Sequence, residues 1–380
     1  MNVLHVTPWF PPAWRYGGVV TSVDALSRAQ ARAGHSVTVL TTDADGPDRV
    51  ASPPLDVRND VRVRTFRHTF PRRLYHAPGL RVALADELAN ADVCHVHGLF
   101  HQPALDAVRE SLRAEVTTIV SSRGMLVAEL IAEKSPWIKR LWLSRFPAKR
   151  VDGWLATSAR ERTDLVRMQL EPERIHVIPN GVEPDPRSEV EVPAEVGRLL
   201  EGPPFALYLG RLSWKKGIDV LMQAWRPHAE RVRLVLAGAD DEGLADGLRA
   251  EHGELLATGR LVLLGSLERA IAERLFANAR LLALFSRHEN FGNVVFEAAL
   301  AGVPVVAHDT VGAAEWIREA DAGWVGRPGE AAELLARALE DPKEAAARGE
   351  RGRVMAREWS WDRVAERTGE AYRSVRATMR

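Results

Sequence analysis

The sequence predicts an α/β protein built from two Rossmann-like, doubly wound parallel-sheet domains. Three observations carry that reading: the length, the repeated alternation of short apolar runs with amphipathic stretches, and a Pro- and Glu-rich junction between two such series. At 380 residues the chain exceeds what one hydrophobic core ordinarily serves and suits two domains of roughly 150 to 200 residues each. Its composition, 46% hydrophobic and 27% charged, is an ordinary globular balance and argues against wholesale disorder.

Taken in order, apolar and β-branched runs at Val3 to Thr7, Ser36 to Thr41, Val61 to Phe66, Val93 to His97, Thr117 to Ser121 and Gly153 to Thr157 read as strands. Amphipathic segments such as Val19 to Arg32 fill the gaps. Continuous apolar strands joined by helices indicate a parallel sheet covered on both faces. The alternation restarts with Phe205 to Leu209, Val232 to Ala237, Leu261 to Leu264, Leu281 to Phe285 and Val303 to Ala307. Between the series lie Pro179-Asn180-Gly181-Val182 and a linker from Glu183 to Pro204. The expected domains are therefore 1–182 and 183–358. A closing helical segment, 359–380, starts at Trp359-Ser360-Trp361-Asp362 and is expected to pack back on the first domain. Ligands of such sheets bind beyond the carboxyl ends of strands, so two facing sheets imply an interdomain cleft.

Lys plus Arg and Asp plus Glu both number 51. No concentrated basic face shows, and a nucleic-acid partner is set aside. The single cysteine, Cys94, rules out an intrachain disulfide framework and a cysteine-cluster metal site, and suits a reducing, cytoplasmic setting. The first residues lack the basic and long apolar regions of a secretory signal, and no 18-residue apolar run suggests a membrane span.

Three segments can carry chemistry. In Ser286-Arg287-His288-Glu289-Asn290-Phe291-Gly292-Asn293 and the helix through Val294 to Glu297, a strand turns into a helix. Freed N–H groups at a helix start present a positive pole to phosphate, and Gly292 lets the backbone come close. Glu289 and Glu297 could each accept hydrogen bonds from sugar hydroxyls; the plainer alternative is two acids with no shared role. Gly210-Arg211-Leu212-Ser213-Trp214-Lys215-Lys216-Gly217 follows the first strand of the second series. Arg211 and Lys216 could neutralise a diphosphate there, or form a solvated basic loop. Gly17-Gly18 stands before the first amphipathic helix but lacks the dinucleotide pattern, and by itself is a turn.

Together, Gly17-Gly18, Pro179-Asn180-Gly181, Gly210-Arg211, Lys216-Gly217, and Glu289 to Glu297 followed by Ala301-Gly302-Val303-Pro304-Val305-Val306 resemble glycosyltransferase family 4, in that family's order and over nearly the whole chain. The resemblance implies the GT-B architecture, a retaining transferase, a nucleotide-sugar as substrate, and neither a cofactor nor a metal ion. The first domain would bind the acceptor and the second the nucleotide-sugar. Arg211 and Lys216 would then hold the donor diphosphate, Glu289 the sugar hydroxyls, and Glu297 the ribose. Phe291, Gly292, Asn293 and Val294 would help hold sugar or phosphate, Gly265 would lie near the base, and Gly17 and Gly18 would approach the phosphates. Asn180, His97 and Arg123 complete the expected substrate contacts. Arg123 departs from the family, which often has His at the end of the strand before Gly124; Arg is no proton acceptor at ordinary pH, so its role would be orienting or electrostatic. His97, at a strand end, is a second candidate, or simply a satisfied polar residue.

Asp43-Ala44-Asp45 matches the metal-binding D-x-D pattern of other glycosyltransferases but reads as a short acidic loop. His95 and His97 are read as alternating faces of a strand, hence as a poor metal pair. Lys134 to Arg150 holds no acid and interleaves its cations with Trp137, Leu141, Trp142, Leu143 and Phe146. It could dock on an anionic membrane or cover the first sheet with its basic face in water; Arg62 to Arg81, also acid-free, adds to the membrane reading. The expected function is transfer to a glycan or lipid-linked acceptor in surface polysaccharide or lipopolysaccharide biosynthesis. A GT-B-like nucleotide-sugar epimerase and a non-catalytic nucleotide-sugar-binding module remain alternatives.

Overall fold

The computed structural model describes the chain except residues 47, 51, 128–130, 133–135, 184–190, 241 and 379–380. The chain divides into two compact units, Met1–Gly181 with Trp361–Arg380, and Val182–Ser360.

In the first unit the strands are β1 (Asn2–Val6), β2 (Ser36–Thr42), β3 (Ala44–Asp45), β4 (Asp48–Arg49), β5 (Leu55–Arg58), β6 (Val61–Phe66), β7 (Val93–His97), β8 (Thr117–Ser121), β9 (Gly153–Ala156) and β10 (Ile175–Val177). Eight of them form one sheet, ordered β10-β9-β8-β7-β1-β2-β6-β5. All neighbours are parallel except β5 and β6. That pair is a hairpin whose two turn residues, Asn59 and Asp60, have φ of 48° and 63°, the left-handed backbone that a tight primed turn demands. The alternation of side chains splits the core: Leu4, Val6, Cys94, Val96 and Val120 lie on one face, while Val3, Val93 and Ile119 pack with Tyr372 and Val375 of the helix Trp361–Thr378 on the other. That helix is tied to the unit by Arg32–Asp362 at 2.6 Å and Arg376–Asp92 at 2.9 Å.

The second unit holds β11 (Phe205–Leu209), β12 (Arg233–Ala237), β13 (Leu261–Gly265), β14 (Ala279–Leu284), β15 (Val305–His308) and β16 (Gly323–Gly326). They form a fully parallel sheet in the order β13-β12-β11-β14-β15-β16. Nearly every residue of β11 and β14 is buried in one continuous core, as expected of strands covered by helices on both faces.

Several expectations change. β5, β10 and β16 are strands that the sequence pattern did not suggest; β10 and β16 are three and four residues long, too short to display a period. Asp43-Ala44-Asp45 is not a plain acidic loop: Ala44–Asp45 pairs with Asp48–Arg49, and Asp43 accepts hydrogen bonds from the His68 backbone N–H at 2.8 Å and meets its ring at 2.6 Å. Two cations of the Arg62 to Arg81 stretch are neutralised, because Arg62 and Arg64 both pair with Glu87. Of the Lys134 to Arg150 stretch, Lys134 lies outside the described residues. Pro136–Arg145 is a helix that turns Trp142 inward against Phe146 and Phe100 while Trp137, Ile138 and Leu141 are exposed. Among the described residues no helix is long and apolar enough to cross a membrane.

Candidate active site

Strand order locates the candidate sites. In the second sheet the chain builds outward from β11 through β12 and β13, then returns to the other side of β11 with β14. The loops after β11 and β14 therefore leave the sheet side by side and in opposite directions, and a crevice opens between them. Leu209 ends β11 and the Gly210 to Gly217 loop follows; Leu284 ends β14 and Phe285 to Gly292 follow.

These two loops are bolted together. The Arg287 backbone N–H donates to the Lys215 carbonyl at 2.7 Å, and its guanidinium donates to the Trp214 carbonyl at 2.9 Å. The same guanidinium grips both Asp219 oxygens, at 2.8 and 2.6 Å, and these bonds hold the Asp219 carboxyl below its usual range. Gly217 permits the contact. Its φ is 63°, and a Cβ there would lie 2.2 Å from the Phe285 carbonyl oxygen. Across the seam, Lys216 Nζ donates to Glu289 Oε2 in a part-buried ion pair.

Gly292, at φ 88°, caps the helix Asn293–Leu300 and offers no side chain to the first-turn N–H groups. The preceding residues are fixed from behind: the Gly312 N–H donates to the Glu289 carbonyl at 3.1 Å and the Ala313 N–H to that of Phe291 at 2.8 Å. The Phe291 ring is buried against Phe296 and Trp316, so only its backbone can face a ligand. Asn293 and Val294 occupy the first turn, and Glu297 lies in the second. Burial raises the Glu297 carboxyl pKa; Arg269 offsets part of the rise and Glu273 adds to it. Arg211 is exposed, and its carbonyl accepts from the buried Tyr208 hydroxyl at 2.7 Å. Gly265, exposed at φ 64°, ends β13, and its carbonyl accepts from Gly238 N–H at 2.6 Å. It is two strands away from the Arg211 loop. A cavity of about 890 Å³, lined by Trp214, Asp219, Met222, Leu248 and Arg287 among others, touches the same loop but none of the expected site residues.

In the first sheet the corresponding reversal falls between β1 and β7. Gly17, at φ 61°, caps the helix Gly18–Arg32, which follows β1. His97 ends β7, and Arg123 follows β8 with φ 53°. Here one expectation fails: residues two apart on a strand share a face, so His95 and His97 stand together, with ring centroids 4.0 Å apart. His5, on the neighbouring strand, joins them, and one nitrogen from each of the three lies within 4.8 Å of the others. The spacing would admit a metal ion, but hydrogen bonds occupy the ring nitrogens. Arg123, which can only donate, meets His97 Nδ1 at 3.2 Å. His97 Nε2 therefore carries the proton and donates to His5 Nδ1 at 2.8 Å; His5 Nε2 donates in turn to Gln30 Oε1 at 2.7 Å. Gln30 Nε2 donates to the Tyr372 hydroxyl at 3.2 Å, which donates to His95 Nδ1 at 2.6 Å, and His95 Nε2 meets Ser121 Oγ at 2.8 Å.

All three imidazoles are thus held neutral. Burial lowers the His5 pKa to about 4 and those of His95 and His97 well below the ordinary value, with neighbouring positive charge, Arg123 included, acting the same way. Asn180 is buried, and its Oδ1 accepts from Arg123 at 3.0 Å. The fold thereby brings Arg123, His97 and Asn180 together in one unit, and Lys216, Glu289 and the Gly292 turn together in the other. Sequence reasoning missed Arg287, His5, Gln30 and Tyr372. Arg287 lay within a quoted segment, but nothing local marked Asp219 as its partner.

Residues 194–355 match the family described as Glycosyl transferases group 1, and residues 16–186 the one described as Glycosyltransferase Family 4. The chain is 30% identical over 410 residues to glycogen synthase of Mycobacterium tuberculosis, spanning 98% of this chain and 94% of that protein. It is 28% identical over 318 residues to the GDP-mannose:cellobiosyl-diphosphopolyprenol alpha-mannosyltransferase of Xanthomonas oryzae, spanning 81% of this chain and 78% of the other. Among solved structures, the sucrose-phosphate synthase of Thermosynechococcus elongatus aligns with a TM-score of 0.76 at 21% identity over 100% of both chains, a likeness of fold that identifies the two parallel-sheet units as the GT-B architecture. With both halves matched and a relative at 30% identity along almost the whole length, the chain belongs to the family 4, group 1 glycosyltransferases and is a transferase enzyme.

Proposed function

We propose that this enzyme transfers a sugar from a nucleotide-diphosphate-sugar to a saccharide or lipid-linked saccharide, with retention at the anomeric carbon, in the assembly of a surface polysaccharide or lipopolysaccharide. The second unit binds the donor and the first the acceptor. The observation that carries this reading is the Lys216–Glu289 pair, set beside the Gly292 helix start at the reversal of strand order. It offers a cation to phosphate and a carboxylate to hydroxyls within one crevice. The family relationship supports the reaction class, and the names of the relatives, one using GDP-mannose and a diphosphopolyprenol acceptor, support the substrate classes.

Arg211 and Lys216 take the donor diphosphate, aided by the backbone N–H groups of Phe291, Gly292, Asn293 and Val294. Glu289 accepts from the sugar hydroxyls and Glu297 from the ribose; Gly265 flanks the base, and Gly17 and Gly18 the phosphates. As the bond from the anomeric carbon to the phosphate oxygen breaks, its electron pair leaves with the diphosphate, whose charge Arg211 and Lys216 stabilise. The acceptor oxygen bonds to the same face of the oxocarbenium-like carbon, and its proton passes to the departing phosphate oxygen. No protein nucleophile is needed, and His97 and Arg123 orient the acceptor. The exposed Trp137, Ile138 and Leu141 beside Lys139, Arg140 and Arg145 give the first unit a surface for anionic lipid at the inner face of the membrane.

Thermal melts with UDP-, GDP- and ADP-sugars test this, since a donor bound to the folded state at a hundred times its Kd adds about 2.7 kcal/mol. One class of donor should raise Tm, and Lys216→Ala and Arg211→Ala should each cut transfer at least about a hundredfold, the range seen when one transition-state donor is lost. Unimpaired transfer in either variant overturns the clamp. Donor conversion without any acceptor would favour an epimerase, and binding without turnover a binding module.

A further inference from the structure

We propose that Arg123 is the anchor of an anion-binding site in the first unit, one that takes a phosphate group carried by the acceptor. The inference rests on the reading of this unit as the acceptor side and adds the chemical class of what it holds.

Arg123 is a cation whose direct hydrogen-bond partners are neutral. Among the described residues its hydrogen-bond partners are Asn180 Oδ1 and His97 Nδ1, while its Nε is buried and has no partner. The nearest candidate counter-ion, Glu161, is already saturated. Its Oε1 accepts from Ser122 Oγ at 2.6 Å and Gly124 N–H at 2.8 Å, and its Oε2 from the Thr157 N–H at 2.7 Å and Oγ1 at 2.8 Å. Those bonds fix the turn on both sides of Arg123 and hold its backbone in the left-handed region, without a direct ion pair to the guanidinium.

The histidine chain sharpens the point. Because Arg123 donates into His97 Nδ1, the whole series from His97 through His5 to Gln30 runs in one direction, and every ring in it is neutral. These rings brace the arginine and cannot balance its charge. Burial works against the Arg123 charge and the nearby Glu161 carboxylate offsets part of that cost without bonding to the guanidinium, and an arginine at the carboxyl end of a strand next to the sheet's reversal stands where ligands bind. A guanidinium matches a phosphate better than a neutral sugar hydroxyl, since it can present two parallel N–H groups to two oxygens.

The phosphate could belong to a soluble sugar phosphate or to a lipid. The test uses the full chain labelled with ¹⁵N and follows the His97 ring nitrogens, a reporter confined to the first unit, during titration with glucose 6-phosphate, with glucose, and with vesicles containing phosphatidic acid. A phosphate probe should shift His97 and glucose should not, and whichever phosphate source acts identifies the acceptor as soluble or lipid-borne. Arg123→Gln should weaken that binding by roughly tenfold or more, with Arg123→Lys intermediate; a cooperative thermal melt and unchanged far-UV circular dichroism in both variants would show that the unit is folded. Silence of His97 to both phosphate probes, or equal binding by Arg123→Gln, overturns the proposal. Donor-induced stabilisation is read separately and depends on Arg211 and Lys216, so its persistence would leave the proposed function standing, and its absence would remove that function instead.

Discussion

Glu297, proposed above to accept from the ribose, is a side chain that burdens the empty fold. Its carboxyl pKa is raised chiefly by burial, so the folded protein holds that proton more tightly than the unfolded chain does. The sign follows: the penalty is absent in acid below the ordinary glutamate range and grows as pH rises through the folded value. Glu297→Gln should therefore raise the Tm of ligand-free protein at pH 7.5, lose that advantage below pH 4, and weaken donor binding about tenfold. Calorimetry across pH with and without donor measures both effects; a variant that is less stable at pH 7.5 would contradict the sign. Glu289 and Glu297 were legible because eight positions on a strand-to-helix turn are a local pattern. The partner of Glu289, Lys216, stands 73 residues away, and Arg287 and Asp219 are 68 apart. Such pairings are created by strand order, which no local spacing records.

At the level of elements, the crevice depends on two loops touching through a glycine. Gly217→Ala would place a methyl 2.2 Å from a backbone carbonyl that belongs to β14's own exit, and neither side can rotate away. Gly243 is a fair control: it also caps a helix in the left-handed region, at φ 74°, but a Cβ there meets open space. Gly243→Ala should cost only the backbone term, about 1–2 kcal/mol. Gly217→Ala should cost more in urea unfolding and abolish most donor-induced stabilisation. Equal losses in the two variants would mean that the Phe285 contact is not what shapes the loop. The main strands were readable from their apolar, β-branched runs. The β5–β6 hairpin was within reach too, since Asn59-Asp60 are residues that tolerate positive φ. The facing of His95 and His97 was misjudged for a simpler reason, a period of two taken as an alternation between them.

For the molecule as a whole, buried neutral histidines make acid the natural enemy of the first unit. His5, His95 and His97 all ionise more readily in the unfolded chain, near pH 6.5, than in the fold, where burial has lowered His5 to about 4 and holds the other two well below their ordinary value. Their contribution is complete above pH 6.5 and drains away as pH falls toward 4. Hydrogen exchange at pH 7 and pH 5 should show β1, β7 and β8 losing protection faster than β11 and β14; the opposite order would mean that other groups govern acid lability. The two-sheet plan was legible in the double alternation of strands and helices. The coupling of Tyr372 to His95 was not, because it joins residues 277 apart.

The placement of Trp361–Thr378 in the first unit also sets an order of events during synthesis. The second unit is one uninterrupted stretch, Val182–Ser360, and its ends meet where the Val182 N–H donates to the Trp359 carbonyl at 2.9 Å. The first unit is assembled from two separate stretches, Met1–Gly181 and Trp361–Arg380, with Trp361 packed tightly on Gly181. A ribosome therefore releases a half-covered sheet, with His95 still lacking its tyrosine, long before the cap that closes it exists. The unit translated second is the first to have all its strands and helices, and the one begun first must wait for the helix Trp361–Thr378.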